Sequence, residues 1–90
     1  MRYVKVVWHH DFDEEPVYYF HEVGDDSYET RRVQIYRDGR REWADETHET
    51  ATAGLAEIPI AAVDEIASQP EFDAEEIPQD EFEREWSKAQ

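Results

Sequence analysis

Tyr28-Glu29-Thr30-Arg31-Arg32-Val33-Gln34-Ile35-Tyr36-Arg37-Asp38-Gly39-Arg40-Arg41-Glu42-Trp43-Ala44 is the stretch that decides the fold. Asp38-Gly39 sits between two strand-like runs. An Asp-Gly pair in that setting is a strong hairpin signal, because a type I′ turn needs positive φ at both central residues. The run before it, Tyr28 to Arg37, alternates: Val33 and Ile35 share one face, while Thr30, Arg32, Gln34 and Tyr36 share the other. The run after it, Arg40 to Ala44, carries Trp43 as its core anchor.

Working toward the N-terminus, Val17-Tyr18-Tyr19-Phe20-His21-Glu22-Val23 is rich in β-formers and reads as another strand, joined to Tyr28 by the turn Gly24-Asp25-Asp26-Ser27. In residues 3–10, Val4, Val6 and Trp8 point one way and Tyr3, Lys5, Val7 and His9 the other. Asp11 to Pro16 is a polar loop that ends in proline. Four strands in series predict an antiparallel meander.

Toward the C-terminus, residues 45–58 show no period and read as a loop of a length that is usually mobile or functional. Val63, Ile66 and Ala67 at i, i+3 and i+4 predict a short helix near Ala62–Ser68, preceded by Pro59 and stopped by Pro70. Residues 71–77 read as extended or irregular, with a fifth edge strand as an option. The last helix spans Gln79–Ala89. Phe82, Trp86 and Ala89 form its apolar stripe, Ile77 can staple onto Phe82, and Asp80 can pair with Arg84. Pro78 stands where a serine-like cap is expected. The expected fold class is α+β: a four-stranded antiparallel sheet with both helices on one face, the last docked on Val4, Val6 and Trp8. Residues 1–90 form a single domain, with the sheet at about 3–44, the loop at 45–58 and the helical part at 60–89.

Charge is the strongest compositional signal. Twenty-four acids against nine bases give −15 over 90 residues. Residues 1–45 hold 11 acids and 7 bases, net −4; residues 46–90 hold 13 acids and 2 bases, net −11. Such a field repels nucleic acid and anionic membranes and draws in cationic partners. No apolar run approaches the roughly 18 residues of a membrane span. The N-terminal residues read as a strand rather than a signal peptide, so the protein is expected in the cytoplasm. There are no cysteines, hence no disulfides, thiolate metal sites or thiol nucleophiles.

Candidate chemistry is sparse. Trp8-His9-His10-Asp11-Phe12-Asp13-Glu14-Glu15-Pro16 crowds two histidines and four carboxylates together. Adjacent histidines on a strand face opposite ways, so one ion would have to be held by His9, Asp11 and a distant His21. No metal motif supports that, and no metal or other cofactor is expected. Ser27, Ser68 and Ser87 lie in no nucleophile elbow, and Gly24, Gly39 and Gly54 form no phosphate-cradling loop. An enzyme is not expected. Arg31, Arg32, Arg37, Arg40 and Arg41 lie among Glu29, Asp38 and Glu42, where cross-strand ion pairs are a better use for them than nucleic acid.

Protein binding is what remains. Glu71, Asp73, Glu75, Glu76, Asp80 and Glu81 place six acids in eleven residues, and Asp64, Glu65, Glu83 and Glu85 extend them into a negative face. That face suits a basic protein such as a nuclease. Phe12, an aromatic among four acids, is a candidate contact point.

Val6-Val7-Trp8-His9-His10-Asp11-Phe12 with Glu15-Pro16-Val17, the run from Tyr28 to Arg40, and the tail from Val63 through Pro70-Glu71-Phe72 to Trp86 together resemble a family of small bacterial domains of unknown function. Its members look like immunity proteins that sit beside secreted toxins. The resemblance implies an antitoxin-type protein with a toxin partner and carries over no catalytic residue. The alternative from the residues alone is a small regulatory or structural interaction module without a toxin. Seven arginines beside two lysines hint at a high-GC bacterium.

Overall fold

A computed structural model describes residues 1–90. Five strands form one antiparallel sheet: β1 (Arg2–Trp8), β2 (Tyr18–Val23), β3 (Glu29–Ile35), β4 (Arg41–Asp45) and β5 (Phe72–Ile77), in the order β4-β3-β2-β1-β5. Two helices complete it, α1 (Val63–Ala67) and α2 (Gln79–Ala89). The meander of β1 to β4 is as expected. The sheet has five strands rather than four, because the acidic segment Phe72–Ile77 pairs with β1, from Tyr3↔Ile77 to Trp8↔Phe72. Ile77 is buried and Phe72 and Ala74 are half-buried, so the inward residues offset the poor β-propensity of the acids between them.

The Asp-Gly hairpin forms, but not with a type I′ turn. Only Gly39 and Ser27 have positive φ, at 90° and 70°. Tyr36 N–H donates to Arg40 O at 2.8 Å, and Gly39 N–H to Tyr36 O at 2.9 Å. This is the three-residue connection Arg37-Asp38-Gly39, in which a type I turn is followed by a left-handed residue. The β2–β3 turn repeats it with Asp25-Asp26-Ser27, Gly24 N–H donating to Tyr28 O and Ser27 N–H to Gly24 O, both at 2.9 Å. In each turn the central aspartate accepts the N–H two residues on: Asp26 from Tyr28 and Asp38 from Arg40, both at 3.0 Å.

The helices lie on opposite faces of the sheet, which corrects the expected one-sided packing. Phe82 of α2 joins Tyr3, Phe20, Val33 and Ile77 in one core cluster, with Trp86, Ala89 and Ile35 against it. Val63 and Ile66 of α1 pack instead on Val4, Val6 and Val23. β1 is apolar on both sides, and α2 takes the Tyr3 side because Pro78-Gln79 follows directly on Ile77, which shares that face. The absence of a side-chain cap at Pro78 does not delay α2, which starts at Gln79.

A register shift between Glu22 and Val23 sets the chemistry of both faces. Glu22 pairs with Arg31, but Val23 pairs with Glu29, so Thr30 is the extra residue. Thr30 and Arg31 therefore both reach Glu22: Thr30 Oγ1 donates to its Oε1 at 2.7 Å and Arg31 Nε to the same oxygen at 2.9 Å. This moves Thr30 off the face it was expected to share with Arg32. It also turns Glu29 onto the α1 side, where its carboxylate is fully enclosed.

The segment between β4 and α1 is fastened rather than loose. Ala56 N–H donates to Glu29 at 2.9 Å, Gln34 Nε2 to Thr52 O at 3.1 Å, and the Thr50 and Thr52 hydroxyls to Glu42 at 3.0 and 2.5 Å. Ile60 N–H is held by Ser27 O at 2.8 Å. No helix is long and apolar enough to cross a membrane.

Candidate partner-binding surface

β5 is an edge strand bonded only to β1, so alternate backbone groups, those of Ala74 and Glu76, point away from the sheet. Strand alternation divides the predicted acids: Asp73 and Glu75 lean to the α2 side and Glu76 to the α1 side. Glu71 precedes the strand, and Asp80 and Glu81 occupy the first turn of α2, where the helix dipole favours them. The six form a ridge along the free edge rather than a flat face. Glu71, Glu75, Glu76 and Asp80 are exposed and Glu81 is half-buried. Two have side-chain partners: Asp73 bonds His9 Nε2 at 2.7 Å, and Asp80 lies 3.7 Å from Arg84. Asp64 and Glu65 of α1 are exposed as well.

Glu83 and Glu85 do not belong to that ridge. They flank Phe82 and Trp86 on the sheet-facing side of α2 and meet arginines there: Arg31 Nη2 at 2.7 Å from Glu83, and Arg41 at 3.3 Å from Glu85. Arg31 also bonds Glu22, and its guanidinium lies 4.8 Å from the Phe82 ring and 4.9 Å from that of Trp86. Arg31 holds the carboxyls of both Glu22 and Glu83 below the usual carboxylate range. Arg32 pairs with Glu29, Arg37 donates to His10 O, and Arg40 stacks on Tyr36 at 4.2 Å. The arginine cluster is thus spent on internal bonds.

Phe12 is 61% exposed at the end of the sheet where β1 stops. Its ring stacks on His10 at 5.4 Å and lies 6.1 Å from Trp8, which in turn is 6.2 Å from Phe72 at the start of β5. His10 pins the loop: Nδ1 accepts from Phe12 N–H at 2.9 Å and Nε2 donates to Pro16 O at 2.8 Å. Asp11, Asp13, Glu14 and Glu15 around it are exposed. Phe12 therefore stands on a fixed aromatic stack at the same end of the molecule as Glu71.

His9, Asp11 and His21 do not converge. His21 stands opposite Val4, five residues short of His9 along β1 and on the other face. At about 3.3 Å per residue that is some ~16 Å of strand. His9 bonds Asp73 and His21 bonds Glu29. No group of three or more histidine, aspartate or glutamate side chains is placed to hold a metal ion.

Sequence reasoning missed a second feature, a groove of about 460 Å³ on the α1 side. Its walls come from β1 and β2 (Val6, Trp8, Tyr19), the segment Ile58-Pro59-Ile60, and Ile66 and Phe72. Its polar part is His21, Arg32 and Gln69. The unusual signal was Ile58-Pro59-Ile60, an apolar run in an otherwise polar connection, with Ile58 left 72% exposed.

No curated protein and no solved structure matches the chain. A family match covers residues 2–90: the chain belongs to the family described as domain of unknown function DUF6881.

Proposed function

We propose that this chain is an acidic binding protein of the immunity or antitoxin type. It would act in the cytoplasm and neutralise a cationic, nuclease-like toxin by occluding its active site. The observation that carries this reading is the ridge along β5: Glu71, Glu75 and Glu76 are exposed, in no ion pair, and lie beside an unpaired strand edge. A surface of one sign speeds encounter with a surface of the other, and an open edge offers backbone bonds once contact is made. Phe12 supplies an aromatic anchor at one end of the ridge, of the type that dominates binding energy in protein interfaces.

The test is a pull-down with the product of the adjacent gene at low and moderate salt. A complex is expected, and its absence at both salts overturns the toxin reading. If the neighbouring gene encodes no toxin, the interaction-module reading takes its place. Reversing Glu75, Glu76 and Asp80 together to lysine should slow association and flatten its salt dependence. An unchanged on-rate removes the ridge from the account.

A further inference from the structure

We infer that the outer edge of β5 takes up an extended, lysine- or arginine-bearing segment of a partner protein as a sixth, antiparallel strand. This rests on the reading of the β5 ridge as a partner-binding surface and adds the form the partner takes there. His9 N–H donates to Glu71 O at 2.7 Å. The bonded pairs with β1 therefore continue at Asp73, Glu75 and Ile77, and both backbone groups of Ala74 and Glu76 are left facing outward. No protein group meets them, whereas the neighbouring Phe72 N–H already donates to Gln69 O at 3.0 Å. The opposite edge of the sheet is partly closed: Asp45 N–H returns to His48 O at 2.9 Å, and the His48 ring stacks on Trp43 at 3.7 Å. An antiparallel strand laid on β5 exchanges both bonds with Ala74 and both with Glu76.

Side chains decide which strand fits. The partner residue opposite Glu75 falls at a non-bonded pair, where side chains approach most closely. Glu75 lies across from Lys5 on β1, yet the two form no ion pair: Lys5 Nζ is turned to the rings of Tyr18 and Phe20, at 5.7 and 5.9 Å. Beside Glu75, on the α2 side, a cavity of about 330 Å³ is bounded by Lys5, Val7, Asp73, Ala74 and Glu75. A lysine or arginine of the added strand lays its methylenes over Val7 and its charge against the Glu75 carboxylate. On the α1 side Glu76 is exposed to a second cation. The same acids exclude a second copy of this chain. In every register that bonds Ala74 and Glu76 of one copy to those of another, Glu75 meets Glu75 or Asp73, or Glu76 meets Glu76. Like charges directly opposite are destabilising. The edge is guarded against itself and open to a strand of opposite charge.

The probe is the peptide acetyl-Thr-Lys-Lys-Val-Lys-Val-Lys-amide, titrated into the full chain and followed by two-dimensional NMR. Antiparallel pairing sets its first lysine opposite Glu76 and its first valine opposite Ala74. Saturable shifts at Ala74, Glu75 and Glu76 are expected, with slowed exchange of the Ala74 and Glu76 amides. N-methylation of that lysine and that valine should weaken binding at least about tenfold, since two interstrand bonds are lost. N-methylation of the two lysines flanking the first valine, whose N–H groups face away from β5, should change it by no more than about twofold. A glutamine-for-lysine peptide should bind at least about tenfold more weakly. Ala74→Pro removes one outward N–H where an edge strand tolerates proline and keeps the charge of −15, so it should fold and lose the peptide. Binding that ignores the position of the methyl groups, that survives in folded Ala74→Pro, that is equal for the glutamine peptide, or that does not saturate by ~5 mM overturns the added strand. Such a result leaves the acidic-surface reading standing. That reading fails instead on the absence of a complex with the product of the adjacent gene, whatever the peptide does.

Discussion

Beneath α2, ring meets ring. Phe82 has no exposed surface, touches Tyr3 at a centroid distance of 5.3 Å, and is followed by Trp86 edge-on to Trp43 at 5.2 Å. Across the sheet, α1 contributes no buried residue at all, and the cover is completed by a connecting segment held through hydrogen bonds to Glu29, Gln34 and Glu42. One side closes by apolar burial and needs only a helix of the right period. The other closes by polar fastening, which leaves room for a groove. A 90-residue domain with one sealed side can keep the second side available for recognition.

The sharpest way to break this contrast is to remove the same kind of atoms from each side. Phe82→Ala should cost about 4 kcal/mol, since a large fully buried ring is replaced by a void. Ile66→Ala should cost about 1 kcal/mol, because the side chain is half-buried at a groove that already lets in solvent. Urea unfolding of both variants measures this. Equal losses would mean that the α1 side is as much a core as the α2 side.

The polar side should fail through its central carboxylate. Glu29→Ala leaves Arg32 without its counter-ion, His21 Nδ1 without its acceptor and Ala56 N–H without a partner, for a loss of about 3 kcal/mol. The distinguishing readout is amide exchange: Ala56 and its neighbours in the segment should lose protection first, while amides of α2 keep theirs. Uniform loss across both sides would show that the segment is not separately fastened.

The difference between the sides also explains what could be read from the sequence. The hairpin at Asp38-Gly39, the alternation of β1 and the stripe of Phe82, Trp86 and Ala89 are local patterns, and they placed the first four strands and α2 correctly. The side α2 would choose was not local information. Tyr3 and Val7 face one way, Val4 and Val6 the other, and either set could have received a helix. The bulge at Thr30 was invisible because alternation assumes an unbroken register, and it alone decides that Glu29 sits beside His21. Phe72–Ile77 read only as an optional edge strand because of its acids, although its pairing with β1 needs only inward contacts at Phe72, Ala74 and Ile77. Of the predicted binding residues, Phe12 and the β5 acids are exposed as expected. Glu83 and Glu85 are not free, because their arginine partners lie more than forty residues away in sequence.

The charged clamp on the α2 side gives a pH signature. Arg31 depresses the carboxyls of Glu22 and Glu83 in the folded state. Their contribution is therefore complete above the unfolded carboxyl value of about 4.3 and is lost as the pH falls through the lower folded values. Above that range, acidification from neutrality neutralises part of a −15 surface and relieves repulsion. The melting temperature should hold or rise slightly down to about pH 5 and then fall below about pH 4. Glu22→Gln should lose about 1 kcal/mol at pH 7 and show a shallower acid fall. An unchanged acid fall would place its origin outside the Arg31 clamp.

The smallest expected effect lies at the hinge between the two sides. Ser27 and Gly39 occupy the same left-handed seat in two turns of one design, yet only Gly39 is suited to it, since a Cβ at positive φ meets the neighbouring backbone. Relief of that strain in Ser27→Gly is partly offset by the greater freedom of glycine in the unfolded chain, so the net gain should be about 0.5 kcal/mol. Ser27 O is also the acceptor for Ile60 N–H, one of the anchors of the segment that borders the groove. A relaxed turn that keeps this bond should raise protection at Ile60 along with the melting temperature. If stability rises while Ile60 exchanges faster, the strained serine is what holds the segment down, and the groove owes its shape to that turn.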